Sequence, residues 1–319
     1  MKSAQKVAAL AMGVMIMGCG QPSTGLGTSS AVTTRALALD STWQSLPALP
    51  TAGGIVAGAG VGLRLLGVEA EASRAWSLAP RSSWTSVAAA PAGLQAPLAA
   101  DLPPARVLLA ATAGPGKVLR YDFERLTWDE MPDLPQVRAG AAMGSWGHLV
   151  YYVGGLDSTG SSRRVDVLNA SSRAWSKAPD LPIPRIEASC ARLGARMFVG
   201  GGYAGAGTPD GRGWILDPMG GTVWQEIAPM PTPRRGATAV AYGYRILVIG
   251  GRTASGPSGA VESFDLSTGT WTRHLPLPEP RVNPVAGRMG ERLVIFGGRD
   301  GSGRALNTGW AAAAQAFLP

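Results

Sequence analysis

Cysteine, histidine and lysine are all scarce in this sequence. Its 319 residues include two cysteines and two histidines, and only Lys117 and Lys177 follow residue 6 among the lysines. No cluster of cysteine and histidine has the spacing of a metal site, and neither a P-loop nor a G-x-S-x-G motif is present. The sequence therefore predicts no metal and no cofactor, and it identifies no catalytic residue.

Long apolar runs are also missing. The run at residues 7–17 is too short to span a bilayer, and it follows two lysines and precedes Gly18-Cys19. This order is typical of a secretory signal. Residues 16–19, IMGC, also resemble the bacterial lipobox, whose cysteine is acylated and becomes the first residue of the mature protein. We therefore predict a signal peptide at residues 1–18 and lipidation of Cys19; the alternative is an ordinary signal peptide with a coincidental cysteine.

The residues after Cys19 predict an envelope location. Two or three acyl chains anchor a protein almost permanently, whereas one chain is marginal. Residue 20 is glycine and not aspartate, and by resemblance to the sorting rule of Gram-negative lipoproteins this favours the outer membrane. Residues 19–34 are mostly small and polar, which indicates a flexible tether. Lipidation of Cys19 would leave Cys190 without a disulfide partner, so the fold must be held together by its core.

The charge is positive, but its distribution does not indicate nucleic-acid binding. The formal net charge is +8, and removal of residues 1–18 would leave about +6. The remaining positive charge is almost all arginine, scattered along the chain without a basic helix, so we predict no nucleic-acid partner. The 44 glycines, 25 prolines and 45% apolar content favour many short strands joined by turns.

A repeat with a period of about 47 residues organises the rest of the chain. Six tryptophans recur at intervals of 41 to 49 residues, and a proline-bearing turn follows each one. Glycine pairs with the same period end the apolar runs LVYYV, MFV, ILVI and LVIF. The six tryptophans are Trp43, Trp84, Trp128, Trp175, Trp224 and Trp271.

This pattern resembles the kelch repeat, in which a glycine doublet follows a hydrophobic strand and an aromatic-Asp pair and a tryptophan come later. The clearest copy has ILVIGG at residues 246–251, Phe264-Asp265 and Trp271. The resemblance implies an all-β fold, a six-bladed kelch-type β-propeller over residues 35–319, with the first two blades matching the motif weakly. We expect each tryptophan to pack between adjacent blades.

The ends of the repeat array predict how the ring closes. Residues 42–46 contain a tryptophan segment before any complete blade, whereas the last repeat has only a short alanine-rich tail after its third strand. We therefore expect residues 42–46 to supply the outermost strand of blade six, beside a third strand near residues 305–312. The ring would then be closed by an N-terminal strand.

A set of arginines is the strongest candidate for a ligand-binding face. Four of them stand three residues after a proline turn, and two more lie in loops predicted on the same face: Arg138, Arg185, Arg234, Arg281, Arg252 and Arg299. Planar guanidinium groups suit bidentate binding of carboxylates. The alternative is a structural role, in which these side chains pair with backbone carbonyls or with loop acids such as Asp157 and Asp300.

The kelch resemblance implies two classes of function. Kelch domains usually bind proteins or peptides through this face, which favours a non-enzymatic, monomeric envelope scaffold that touches the membrane only through its lipid. Its expected partner is an unknown protein, an acidic peptide or an anionic glycan. A periplasmic kelch family isomerises sialic acid at an arginine-lined centre, so a mutarotase-like enzyme or an anionic carbohydrate binder is the alternative. The sequence shows no glutamate or histidine placed for the proton transfer.

Overall fold

The computed structural model describes residues 42–50, 55–61, 64–69, 74–80, 82–91, 94–205 and 207–317. Within these ranges the strands form six antiparallel sheets of four strands and two short hairpins. The predicted signal peptide, Cys19 and the tether lie outside the described residues. No helix in the described part of the chain has the length and apolar character needed to cross a membrane.

Each four-stranded sheet is one blade, and its strands follow one another from the inside of the ring to the outside. Strand β1 (Gln44–Ser45) comes first in the chain. Blade one contains β2 (Ile55–Val61), β3 (Arg64–Glu69), β4 (Ala75–Leu78) and β5 (Thr85–Val87). Blade two contains β6 (Gln95–Leu102), β7 (Arg106–Ala113), β8 (Val118–Asp122) and β9 (Thr127–Met131).

The next two blades differ in the loop between their second and third strands. Blade three contains β10 (Ala142–Trp146) and β11 (Leu149–Val153), the loop hairpin of β12 (Leu156–Asp157) and β13 (Gly160–Ser161), then β14 (Val165–Asn169) and β15 (Ala174–Lys177). Blade four contains β16 (Ser189–Leu193), β17 (Arg196–Gly200), β18 (Gly213–Leu216) and β19 (Gln225–Ile227).

The last two blades complete the ring. Blade five contains β20 (Thr238–Tyr242), β21 (Arg245–Ile249), the loop hairpin of β22 (Arg252–Thr253) and β23 (Gly256–Pro257), then β24 (Val261–Asp265) and β25 (Thr270–Arg273). Blade six contains β26 (Val285–Met289), β27 (Arg292–Phe296), β28 (Gly309–Ala313) and β1, and a short 3-10 helix follows at Ala314–Phe317.

The core lies between neighbouring blades. The second strands β11, β21 and β27 are buried along nearly their whole length, because both faces of a blade are covered by other blades. One apolar cluster, for example, joins Leu108 of blade two to Val150 and Leu168 of blade three. The continuous apolar runs of the sequence therefore form strands buried on both faces, as predicted.

The N-terminal strand closes the ring as predicted. In β1, Gln44 pairs with Ala311 and Ser45 with Trp310 of β28. The third strand of blade six begins later than predicted, at Gly309. Ala305 instead forms an isolated bridge with Arg299, because the loop turns back on itself before the strand begins.

The six repeating tryptophans connect each blade to the one before it. Each indole N–H donates to a backbone carbonyl located four residues after the preceding tryptophan, over 2.7–3.3 Å. These bonds form a closed circle, which confirms that the tryptophans pack between blades. The bonds are Trp84 to Pro47, Trp128 to Ala88, Trp175 to Pro132, Trp224 to Pro179, Trp271 to Ala228 and Trp43 to Leu275.

The glycine doublets allow the backbones of adjacent blades to approach closely. Gly154 has φ = +62°, and a Cβ atom there would lie 2.2 Å from the carbonyl oxygen of Arg185 in the next blade. The N–H of Gly155 donates to that same oxygen over 2.7 Å. Only glycine satisfies both the left-handed backbone and this contact, which explains the doublet at the end of the second strand.

Candidate functional site

The six innermost strands surround a central channel. The channel contains two cavities, with volumes of about 580 Å³ and about 560 Å³. Residues from all but one of these six strands line both cavities. We call the upper face the one that carries the turns between blades and the loops between second and third strands. The upper chamber opens there, and the lower chamber opens on the opposite face, beside the hairpin turns that follow the inner strands.

The four arginines that follow proline turns are buried, with at most 1% of each residue exposed. Each guanidinium forms an ion pair with a carboxylate at an N···O distance of 2.5–2.7 Å. The pairs are Arg138–Asp166, Arg185–Asp210, Arg234–Glu262 and Arg281–Glu279. These guanidinium groups are therefore out of reach of a ligand in this structure.

Further hydrogen bonds hold these arginines in place. Three of them also donate to a carbonyl at the end of their own blade's second strand, such as Arg138 Nε to Gly154 over 2.6 Å and Arg234 Nη2 to Val248 over 2.8 Å. The Arg138 guanidinium lies 4.2 Å from the centre of the Tyr152 ring. Arg138 and Arg234 thus tie the turn before the inner strand to the second and third strands of their blades.

The structural interpretation of these four arginines was correct in kind but wrong in its named partners. Asp157 accepts hydrogen bonds from Gln136 and Thr159, and Asp300 from Ser302 and Arg304. Both acids lie beyond the ends of the buried strands, so their hydrogen bonds go to loop and turn residues and not to the four buried arginines. Burial lowers the pKa of Arg185, Arg234 and Arg281. The negative charge of the paired carboxylate acts in the opposite direction and raises the pKa of each arginine.

The two loop arginines have a different environment. Arg252 is half-buried and Arg299 is exposed. Arg299 lines the upper chamber and donates to the Gly303 carbonyl over 2.8 Å. Within the described ranges, the Arg252 side chain has no hydrogen bond or ion pair. Of the six arginines predicted to form a ligand-binding face, Arg252 and Arg299 are the two that a ligand can contact.

A belt of three backbone hydrogen bonds links blades three to six along part of the upper mouth. It joins residues located two positions after the buried arginines: Gly140, Glu187, Gly236 and Asn283. The N–H of Glu187 donates to Gly140 over 2.7 Å, that of Gly236 to Glu187 over 2.9 Å, and that of Asn283 to Gly236 over 2.8 Å. All four have φ between +51° and +62°, which suits glycine and is tolerated by asparagine.

Glu187 is the exception in this belt. It adopts φ = +52° although it carries a long side chain, and such strain, about 1–3 kcal/mol, is typical of functional sites. Its carboxylate lines the upper chamber and pairs with Arg235 at 3.1 Å. The Arg235 guanidinium in turn lies 5.0 Å from the centre of the Tyr203 ring. Glu187, Arg235 and Tyr203 therefore form a polar cluster at the mouth.

Sequence reasoning did not find Glu187 and Arg235. The signal was present, because alignment of the repeats on the buried arginines places Gly140, Glu187, Gly236 and Asn283 in one column. A glutamate in a column of residues that accept a left-handed backbone indicates a special position. Whether this column of residues faces the channel depends on the strand register, which the alignment of the repeats does not give.

The two histidines lie apart from this cluster, whereas Cys190 lines both chambers of the channel. His148 is in the turn between β10 and β11, and His274 follows β25, where its Nε2 lies 2.7 Å from Ser263 Oγ. Burial raises the pKa of the Cys190 thiol to about 12, so it remains protonated and unreactive at neutral pH. The described residues contain no group of His, Cys, Asp and Glu side chains that could hold a metal ion.

The blades, glycine doublets and interblade tryptophans define a kelch-type propeller. The family model described as the KLHDC2/KLHL20/DRC7 Kelch-repeats domain matches residues 140–313, which is more than half of the chain. The chain belongs to this kelch-repeat family.

A solved structure and the curated proteins give two further comparisons. The structure titled "Structure of YjhT" is similar with a TM-score of 0.71 and 18% identity, covering 83% of this chain and 95% of that one. At this identity the likeness shows the fold alone. No curated protein matches the chain.

Proposed function

We propose that this chain is an outer-membrane lipoprotein whose kelch propeller is a non-enzymatic scaffold, and that it binds an acidic peptide segment at the upper mouth of the channel. The observation that carries the binding proposal is the accessibility of Arg252 and Arg299, in contrast to the four buried arginines. The sequence at residues 16–19 supports the lipid anchor.

The charges at the upper mouth favour an anionic partner. Arg235, Arg252 and Arg299 lie on this face; Glu187 pairs with Arg235 at 3.1 Å, and Asp300 pairs with Arg304 at 3.1 Å. The unpaired positive charge attracts acidic ligands and speeds their approach. Hydrogen bonds between guanidinium and carboxylate are also roughly twice as strong as neutral ones. A peptide that presents two or more carboxylates can contact both accessible arginines.

Binding of a fluorescent oligoglutamate peptide tests this proposal. We expect saturable binding that weakens with added salt, because exposed charges are screened. Each of the substitutions Arg252→Ala and Arg299→Ala should reduce the affinity about tenfold, as expected for loss of a hydrogen bond to a charged group. Fluorescence anisotropy at two salt concentrations measures both effects.

A matched control separates this site from general charge. Arg125 is also exposed, but it lies in the turn between β8 and β9 on the lower face. Arg125→Ala should leave the affinity unchanged. Equal weakening by Arg125→Ala and Arg252→Ala would contradict a specific site, and so would the absence of saturable binding.

A second candidate is a sugar-acid mutarotase, and Glu187 is the observation that favours it. A carboxylate beside an arginine at the channel mouth can accept and return the proton that anomer exchange requires. Exchange of free N-acetylneuraminate anomers, followed by NMR, distinguishes the two functions. A mutarotase would speed the exchange and lose this activity in Glu187→Gln, whereas a scaffold would leave the spontaneous rate unchanged.

A further inference from the structure

The lower chamber contains a ring of side chains at one level. The next-to-last residue of each inner strand contributes to it, as shown by the register of the six inner hairpins. These residues are Gly60, Asp101, Ser145, Arg192, Ala241 and Arg288, and all of them line the cavity of about 560 Å³. Asp101, Ser145 and Arg192, the polar residues from blades two, three and four, follow one another around the ring.

Asp101 is held in a fixed orientation toward this chamber. The hydroxyl of Ser145 donates to Asp101 Oδ1 over 3.0 Å, and Ser145 is itself buried. Within the described ranges, no other side chain donates a hydrogen bond to the carboxylate, so Oδ2 remains available as an acceptor. Asp101 is itself exposed to the chamber.

Arg192 faces the same chamber without a partner. Its guanidinium has no hydrogen bond or ion pair within the described part of the chain, so it lies more than 4.0 Å from the Asp101 carboxylate oxygens. The other arginine of the ring, Arg288, is engaged, since it donates to the Gly290 carbonyl over 3.2 Å and stacks 4.6 Å from the Tyr242 ring centre. The Nε of Arg288 has no partner but is buried, so the exposed Arg192 is the arginine that offers an accessible guanidinium to this chamber.

We propose that the lower chamber binds a free α-amino acid, with its carboxylate on Arg192 and its ammonium group on Asp101. The two side chains carry opposite charges and do not touch, which leaves room for a ligand between them. Arg192 has only donors, and the ionised Asp101 has only acceptors. A ligand that satisfies both must carry an acceptor and a donor, and an α-amino acid has both on one carbon.

The size and net charge of the site agree with this class of ligand. A cavity of about 560 Å³ lies within the usual range for small-molecule sites, roughly 300–1,000 Å³. The charges of Asp101 and Arg192 cancel, so the pair favours a neutral zwitterion over a simple anion or cation. This distinguishes the lower chamber from the upper mouth, where unpaired arginines predominate.

Thermal-shift screening of the twenty L-amino acids, followed by calorimetric titration of the best ligand, tests the proposal. We expect at least one amino acid to bind saturably. Two analogues of that amino acid, an amine that lacks the carboxylate and a carboxylic acid that lacks the ammonium group, should each bind at least tenfold more weakly. Asp101→Asn and Arg192→Met should each weaken binding at least tenfold, and Arg192→Lys should restore part of it.

Two controls make the outcome decisive. Arg196→Met removes an arginine from the same blade at the start of β17, where it pairs with Asp217 at 3.5 Å, and it should leave the affinity unchanged. The exposed Arg192 can be replaced without disturbing the core, so a folded Arg192→Met variant is expected. The proposal is wrong if no amino acid binds, if the single-charge analogues bind equally well, or if Arg192→Met retains full affinity.

Discussion

At the scale of the residue, the buried arginines show how this fold uses charge. A buried ion pair gains little net stability, but removal of one partner leaves an uncompensated charge in the interior. Arg234 and Glu262 are each at most 1% exposed and are paired with each other. The Thr232 hydroxyl also donates to Glu262 over 2.6 Å. The pair therefore constrains the arrangement of β24 and the turn that precedes β20.

We expect Arg234→Met to destabilise the propeller by about 3–5 kcal/mol, because Glu262 would remain buried and charged with only the more distant, exposed Arg273 at 3.5 Å as a cationic partner. Arg252→Met is the matched control, and it should change the free energy of unfolding by less than about 0.5 kcal/mol. Denaturant unfolding measures both. The double variant Arg234→Met with Glu262→Leu should recover most of the loss, and failure to recover would indicate that packing and not charge dominates.

At the scale of the element, β1 has an importance out of proportion to its two residues. It completes blade six, and the segment after it adds backbone hydrogen bonds from Leu46 to Gly309 and from Leu49 to Asn307. Trp43 lies 5.6 Å from the ring centre of Phe317 and donates to the Leu275 carbonyl. This segment thus connects blade six to blade five and to the C-terminal helix.

Deletion of residues 35–50 should lower the melting temperature by more than about 5 °C, because it exposes the edge of β28 and removes two tryptophan bonds, from Trp43 to Leu275 and from Trp84 to Pro47. Deletion of residues 20–30, in the predicted tether, is the control and should leave the melting temperature unchanged. Differential scanning calorimetry compares the two deletions. Equal melting temperatures would contradict the role assigned to β1.

The sequence predicted these elements well because the repeat is a local pattern. Trp43 and the short alanine-rich tail of the last repeat were enough to predict closure. The burial of Arg138 and its equivalents was not predictable in the same way, since their acidic partners come from a third strand, a loop or a turn with no constant spacing. The pairing of Asp101 with Ser145 was also hidden, because it depends on the register of two separate hairpins.

At the scale of the whole molecule, the proposed lipid anchor determines where the propeller acts. Cys19→Ala should release the protein from the membrane into the soluble envelope fraction or the medium, because it removes the cysteine that would carry the acyl chains. Cell fractionation and labelling with a fatty acid test this. A variant that stays in the membrane fraction, with a wild type that incorporates no label, would contradict lipidation.

The circle of tryptophan bonds has a mechanical consequence for an anchored protein. The chain enters the propeller at Trp43 and β1, so any tension between the membrane and a partner held at the upper mouth passes first through this segment. Two strand pairs with β28 and the bond from Trp43 to Leu275 resist it. Four further tryptophan bonds join blades one to five to one another, and the fifth joins Trp84 of blade one to Pro47 of this same segment. Under load, the ring would therefore open first at blade six, while the other blades stay joined.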